Sequence, residues 1–371
     1  MPSRVRSYAE IAGALRSPYA ADELVRPGEV PILAVDLDRG RPEDTEAETL
    51  RRIPAVTVAL VDGPGGDGPG GPVVGGPVGG PVCGPDASAA PFDVVLDGNH
   101  GRAAAALDAT TAGVEARPLA AVAAVQLLRL SASLGVVDGL VAESFTYSTL
   151  QSGPGFGTWL ADRLSGRPPA AAPPAAEPPA AASSGVDPEP LLAERDGERL
   201  RITFNRPEVH NAFGFEVRDA LVEALRLAVA DRTIDSVVLA GRGPSFCSGG
   251  DLREFGTLED PVRAHLIRTS RSAGYWLHRV SDRLSARVHG WCIGSGAELA
   301  AFAGHVSAAP DLAVFLPEVA MGLVPGAGGT VSLPRRIGRS RTAYLCLSGE
   351  TIGAETALAW GLVDEVSEPH P

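Results

Sequence analysis

Residues 289–330 read HGWCIGSGAELAAFAGHVSAAPDLAVFLPEVAMGLVPGAGGT. Two glutamates in this stretch stand in surroundings unusual for a carboxylate. Glu298 follows Gly294-Ser295-Gly296-Ala297 and precedes the apolar run Leu299-Ala300-Ala301-Phe302-Ala303. Glu318 lies between Val314-Phe315-Leu316-Pro317 and Val319-Ala320-Met321. Glutamate is seldom fully buried without a partner. In an apolar pocket its charged form is disfavoured, and its pKa rises toward the range useful for proton transfer. Taken singly, one could open a surface helix and the other end a strand. The glycines around them bear on the choice, because glycine lets a backbone approach a ligand closely. N–H groups that open a helix are unpaired and carry the positive end of its dipole. Two such donors aimed at one oxygen form an oxyanion hole.

Working outward, 371 residues imply two or three domains, each able to bury a core. A net charge of −13 argues against a nucleic-acid or anionic-membrane partner. Every basic side chain other than histidine is arginine, which excludes a lysine Schiff base. Cys83, Cys247, Cys292 and Cys346 show no metal spacing and no dense disulfide framework. Arg4 and Arg6 are not followed by a long apolar segment, and no run reaches the length of a membrane span. The expectation is a soluble protein of the reducing cytoplasm with no metal site.

Two low-complexity stretches divide the chain. Gly63 to Asp86 is so rich in glycine and proline that neither helix nor ladder is expected, and residues 63–90 read as a disordered loop. No GK[ST] follows, so it is not a phosphate loop. Residues 167–190 read as a stiff Pro/Ala linker. The expected domains are therefore 1–166 and 191–371. In the first, helices are expected at Tyr8–Leu15, Glu46–Arg52, Leu119–Ser133, Val137–Leu150 and Phe156–Leu164. Its strands are expected at Val30–Leu37, Ala55–Val61 and Phe92–Leu96. The second alternates strands (Leu200–Phe204, Ser236–Gly241, Leu284–Val288) with helices at Phe215–Ala230 and Asp260–Val280. That alternation predicts a layered α/β fold.

The second half resembles the crotonase (enoyl-CoA hydratase/isomerase) superfamily over about residues 191–367. The resemblance rests on motifs in family order: Asn205-Arg206-Pro207 with Asn211-Ala212; Val237 to Gly241; Phe246-Cys247-Ser248-Gly249-Gly250-Asp251-Leu252; His289-Gly290 through Glu298; Phe315 to Glu318; Gly322 to Thr330; and Gly349 to Val363. It implies an α/β fold, a ββα spiral, that binds an acyl-CoA. Two backbone N–H groups, matched here by Ser248 and Ser295, would hold the thioester oxygen as it becomes an enolate. Glu298 and Glu318 fall on the hydratase pair: one activates water for attack at Cβ, the other handles the proton at Cα. Leu316 stands where hydratases often have glutamine. Gly249, Gly250, Asp251, Gly294, Gly296, Pro325 and Gly326 are expected to shape the substrate site, and Arg253 to lie near the CoA phosphates. The resemblance implies no cofactor, coenzyme A being part of the substrate, and a homo-oligomer, trimer or hexamer. Isomerisation, decarboxylation, C–C cleavage, oxygenation and a non-catalytic acyl-CoA-binding scaffold are the alternatives.

Family members continue for some forty residues or more after the segment matching Gly361 to Val366. Arg117–Arg129 and Gly139–Arg163 resemble that helical tail. Residues 1–166 are therefore expected to be a degenerate, helix-rich α/β crotonase-like unit. Its helices would cover the second unit, in cis or from a neighbouring subunit.

Overall fold

A computed structural model describes residues 5–25, 28–37, 40–61, 91–97, 100–166, 189–258 and 260–367. The Gly/Pro loop expected at 63–90 and most of the expected linker lie outside the described residues.

The first half opens with β1 (Arg6–Ser7), α1 (Tyr8–Leu15), α2 (Ala20–Leu24), β2 (Ile32–Asp36), α3 (Asp44–Arg52), β3 (Val56–Val61) and β4 (Val94–Asp97). These four strands form one sheet in the order β1-β2-β3-β4, parallel throughout. Four helices follow: α4 (His100–Ala116), α5 (Pro118–Ser131), α6 (Val136–Gln151) and α7 (Pro154–Leu164). α5 and α7 each start with proline, whose missing N–H costs nothing at a first helical position. α4 was not legible in the sequence. Alanine occurs on all its faces and leaves no apolar stripe for a periodicity to reveal.

The second half contains β5 (Leu191–Asp196), β6 (Arg199–Phe204), α8 (Phe215–Ala230), β7 (Ser236–Gly241), α9 (Pro261–Ser270), α10 (Ala273–Arg279), β8 (Leu284–Val288), β9 (Trp291–Ile293), α11 (Ser295–Ala300), β10 (His305–Ala308) and β11 (Ala313–Phe315). It closes with α12 (Gly329–Ile337), α13 (Arg339–Ser348), β12 (Ile352–Gly353), α14 (Ala354–Trp360) and β13 (Glu365–Val366). A six-stranded sheet runs β13-β10-β8-β7-β6-β5, and only the β5–β6 pair is antiparallel. A smaller sheet runs β12-β11-β9, with β9 and β11 parallel. α8 buries Val217, Leu221, Val222, Leu225 and Ala228, one face at helical spacing.

The single helix expected over Asp260–Val280 is instead two. Asp260 caps α9 by accepting from the N–H groups of Val262 and Arg263. The chain leaves the helix at Arg271, and Ser272 caps α10 by accepting from Tyr275 N–H at 3.2 Å. A serine inside an apparently continuous pattern here offers the backbone an alternative to the next helical bond.

The hydrophobic core does not follow the sequence boundary. One small cluster, including Ile11, Leu15, Leu50, Ile53 and Phe92, belongs to the first half alone. The main cluster joins Val58, Val94, Leu107, Ala121 and Leu128 to Leu225, Leu239, Leu299, Leu333 and Tyr344. Its seam is tight. Asp93, buried, accepts from Arg129 Nε at 2.8 Å and from Arg339 Nη1 at 3.0 Å, and Ser340 Oγ accepts from Val95 N–H at 2.8 Å. α4 meets α13 so closely that a Cβ on Gly113 would lie 1.8 Å from the Leu347 carbonyl oxygen.

That contact reverses a helix-propensity rule. Glycine to alanine inside an exposed helix gains roughly 1 kcal/mol. Gly113→Ala is expected to destabilise the full chain by about 1–3 kcal/mol, because the backbone of α13 must move. Urea unfolding of the two proteins checks the sign.

Candidate active site

The small sheet places the two glutamates. β9 and β11 run parallel in the register Trp291↔Ala313, Cys292↔Val314 and Ile293↔Phe315. Their carboxyl ends therefore lie side by side, and Phe315 O accepts from Gly294 N–H at 2.9 Å. Glu298 follows Ile293 by one tight turn, in α11. Glu318 follows Phe315 by three residues. Carboxyl ends of parallel strands are where ligands bind in open α/β sheets. On the other side of β9, Cys247 forms a parallel bridge with Cys292, which brings in the 246–251 turn.

Two glycines make the junction sterically possible. Gly294 has φ +47°, and a Cβ there would lie 2.3 Å from Glu318 Oε1. A Cβ on Gly296 would lie 2.7 Å from Cys247 O. The turns at 247–250 and 294–296 thus face each other at backbone contact.

Glu298 is 1% exposed. Its Oε2 accepts from Ala327 N–H at 2.7 Å and from Gly329 N–H at 2.8 Å. Burial pushes its pKa up to about 7, and those two donors restrain the rise. Glu318 is half-buried as a residue, yet its Oε2 is shielded from solvent and has no hydrogen-bond partner. Burial, then the neighbouring charge of Glu298, hold its pKa well above the ordinary carboxyl range. An unpartnered buried carboxyl oxygen favours the protonated acid.

A third carboxyl enters from the first half and was not identified in the sequence. Glu143, on α6, is 2% exposed. Its Oε1 accepts from Gly328 N–H at 2.7 Å, and its Oε2 accepts from Thr330 N–H at 2.9 Å and Thr330 Oγ1 at 2.7 Å. Burial and then the charge of Glu298 push its pKa up to about 8, against the pull of those donors. Tyr147, one turn on, packs its ring against Gly326. Arg268 of α9 lies over that ring, 4.4 Å from its centroid, and donates to Ser148. α6 and α7 therefore sit on the site within the same chain. A Cβ on Gly322 would lie 2.6 Å from Phe156 N.

One expected donor needs correction. Ser248 N–H donates to His210 O at 2.9 Å and is not free to hold a substrate oxygen. Gly250, two residues on, offers a donor in its place. Phe213 and Gly250 form a parallel bridge that uses Gly249 O, accepting from Phe213 N–H, and Asp251 N–H, donating to Phe213 O. Gly250 N–H lies outside that ladder. Ser295 N–H, first in α11, has no acceptor within its helix. Gly249 (φ +96°) turns the chain against Ile293 O. Asp251 is buried and ties down Arg253 through two contacts, 3.0 Å from Nε and 2.6 Å from Nη2. The Arg253 guanidinium holds Asp251 below the usual carboxylate range. Pro325 is buried and Gly326 half-buried at the start of the loop that grips Glu298.

Among the described residues no helix is long and apolar enough to cross a membrane. Residues 196–369 match the family described as enoyl-CoA hydratase/isomerase. The 2,3-dehydroadipyl-CoA hydratase of Escherichia coli K12 is 36% identical over 176 residues, which is 47% of this chain and 68% of that protein. The trans-2-decenoyl-[acyl-carrier-protein] isomerase of Streptococcus mutans is 30% identical over 189 residues, 50% of this chain and 72% of that protein. The crystal structure of an enoyl-CoA hydratase from Thermoplasma volcanium superposes with a TM-score of 0.45 at 32% identity, covering 49% of this chain and 73% of that one. The chain belongs to the crotonase, or enoyl-CoA hydratase/isomerase, family.

Proposed function

We propose that the protein hydrates a 2-enoyl-CoA, or in reverse dehydrates a 3-hydroxyacyl-CoA. The observation that carries this reading is the unlike pair of carboxyls at one strand-end junction: Glu298 gripped by two amides, Glu318 with an unpartnered oxygen. The thioester oxygen would accept from Gly250 and Ser295 N–H. Glu298, as carboxylate, takes a proton from water as the water oxygen bonds to Cβ. The π electrons move onto the thioester oxygen as an enolate. Glu318, as acid, then gives its proton to Cα, and the carbonyl re-forms. Two aligned donors supply about 3–4 kcal/mol each of transition-state stabilisation in a water-poor site. Coenzyme A enters as part of the substrate, and the steps use only side-chain carboxyls and backbone donors. α5–α7 act as the cover of this site. The parallel sheet β1–β4 that precedes them supports reading the first half as a degenerate copy of the same fold.

Glu298→Gln and Glu318→Gln should each lower kcat for crotonyl-CoA hydration by about 10²–10⁴-fold. Severe loss in only one of them would sink hydration in favour of a one-carboxyl reaction such as a double-bond shift. For the wild type, kcat/KM should fall as pH drops below about 7, where Glu298 protonates. It should fall again at high pH, where Glu318 loses the proton it must deliver.

Stability carries the opposite mark of the same site. The folded-state pKa of Glu318 lies above its unfolded value, so the folded chain binds more protons between the two. The associated stability is full below the unfolded value and is lost as pH rises. Glu318→Gln is neutral at every pH. Its Tm should match wild type at about pH 4 and exceed it by about 2–4 °C at pH 8, as thermal melts at the two pH values would show.

A further inference from the structure

We propose that Glu143, supplied by the N-terminal half, is a positioning residue of the active site, holding the 326–330 loop in the conformation that lets Ala327 and Gly329 grip Glu298. This rests on the reading of Glu298 as the catalytic base. Four consecutive N–H groups are shared alternately. Ala327 and Gly329 donate to Glu298; Gly328 and Thr330 donate to Glu143. The segment is a bend into a helix: Gly328 is left-handed (φ +110°) and Gly329 and Thr330 open α12, so the alternation exists only in that bend, and the two carboxyls that take alternate donors hold its peptide planes for each other. Neither grip is independent, because rotating one plane to free Gly328 also moves the N–H of Ala327 or Gly329.

Both Glu143 oxygens are engaged, by three donors in all, the third being Thr330 Oγ1. The three donors favour its carboxylate form, which is acceptor-only, whereas a glutamine would turn an NH₂ group against one of them. The groups around it are Glu298 on α11, Glu318 after β11, Tyr147 on α6 itself and Arg268 on α9. Burying a carboxyl beside two others destabilises the fold. A contact serving only to dock two halves would be met by neutral groups without that cost.

The proposal is tested in the full chain with Glu143→Gln, Thr330→Val and Thr330→Ser. Two readouts are used: amide hydrogen exchange at Ala327 and Gly329, which touch Glu298 and not Glu143, and the kcat and KM of crotonyl-CoA hydration. In Glu143→Gln, exchange at both amides should accelerate at least about 10-fold. Its kcat should fall about 10–100-fold with KM within about twofold of wild type, the signature of a lost transition-state geometry. Thr330→Val, which removes one donor and leaves the loop backbone intact, should move both readouts in the same direction by less. Thr330→Ser should restore them. Unchanged exchange at Ala327 and Gly329 with only a lowered Tm would overturn the proposal, as would a parallel fall in kcat and rise in KM. A wild type that does not hydrate, with exchange still accelerated by Glu143→Gln, would remove the hydration reading and leave the positioning role standing.

Discussion

The structure depends on keeping three carboxyls together out of water. Isolated, each would expel its charge or pull the site open. Here a single glycine-rich loop, Gly326 to Thr330, gives up its backbone donors to two of them, and burial holds the pKa of the third well above the usual carboxyl range. At positions 328 and 329 the loop can do this only without side chains. A Cβ on Gly329 would lie 2.5 Å from Glu298 Cγ, and one on Gly328 would lie 2.5 Å from the Phe302 ring. Glycine content that looks like conformational slack in the sequence is therefore packing necessity in the fold.

The rest of the architecture serves that loop from two directions. Parallel β9 and β11 set the Glu298 and Glu318 backbones side by side. α6, packed on α9 and α12, brings in Glu143 and Tyr147. The seam between the halves is fastened by the Asp93–Arg129–Arg339 group and by the close crossing of α4 and α13. A chain that reads as two domains joined by a Pro/Ala segment is, around its site, one packed body with a shared core. Carboxyls whose pKa is raised by burial cost the folded state stability as pH rises.

Much of the site was legible because its signals are local. Gly294-Ser295-Gly296-Ala297-Glu298 and Phe246 to Leu252 encode tight turns through their own residues, and a turn needs only its neighbours. The second glutamate was marked by the apolar residues on either side. The register of the donors was not legible. Whether Ser248 or Gly250 presents a free N–H depends on His210 O and on the bridge to Phe213, and neither is visible from the turn. The break between α9 and α10 was likewise hidden in a pattern that reads as continuous.

From its sequence alone this chain declared an α/β fold, a family, two glutamates and the glycine turns around them, because each is written in short-range pattern and composition. Only tertiary structure decided that a third glutamate belongs with them. Glu143 lies on a helix with no clear apolar stripe, and its donors stand 185 and 187 residues away along the chain. Hydrogen-bond partners at that separation are chosen by how α6 packs on α12, a property of the whole fold that no local pattern encodes.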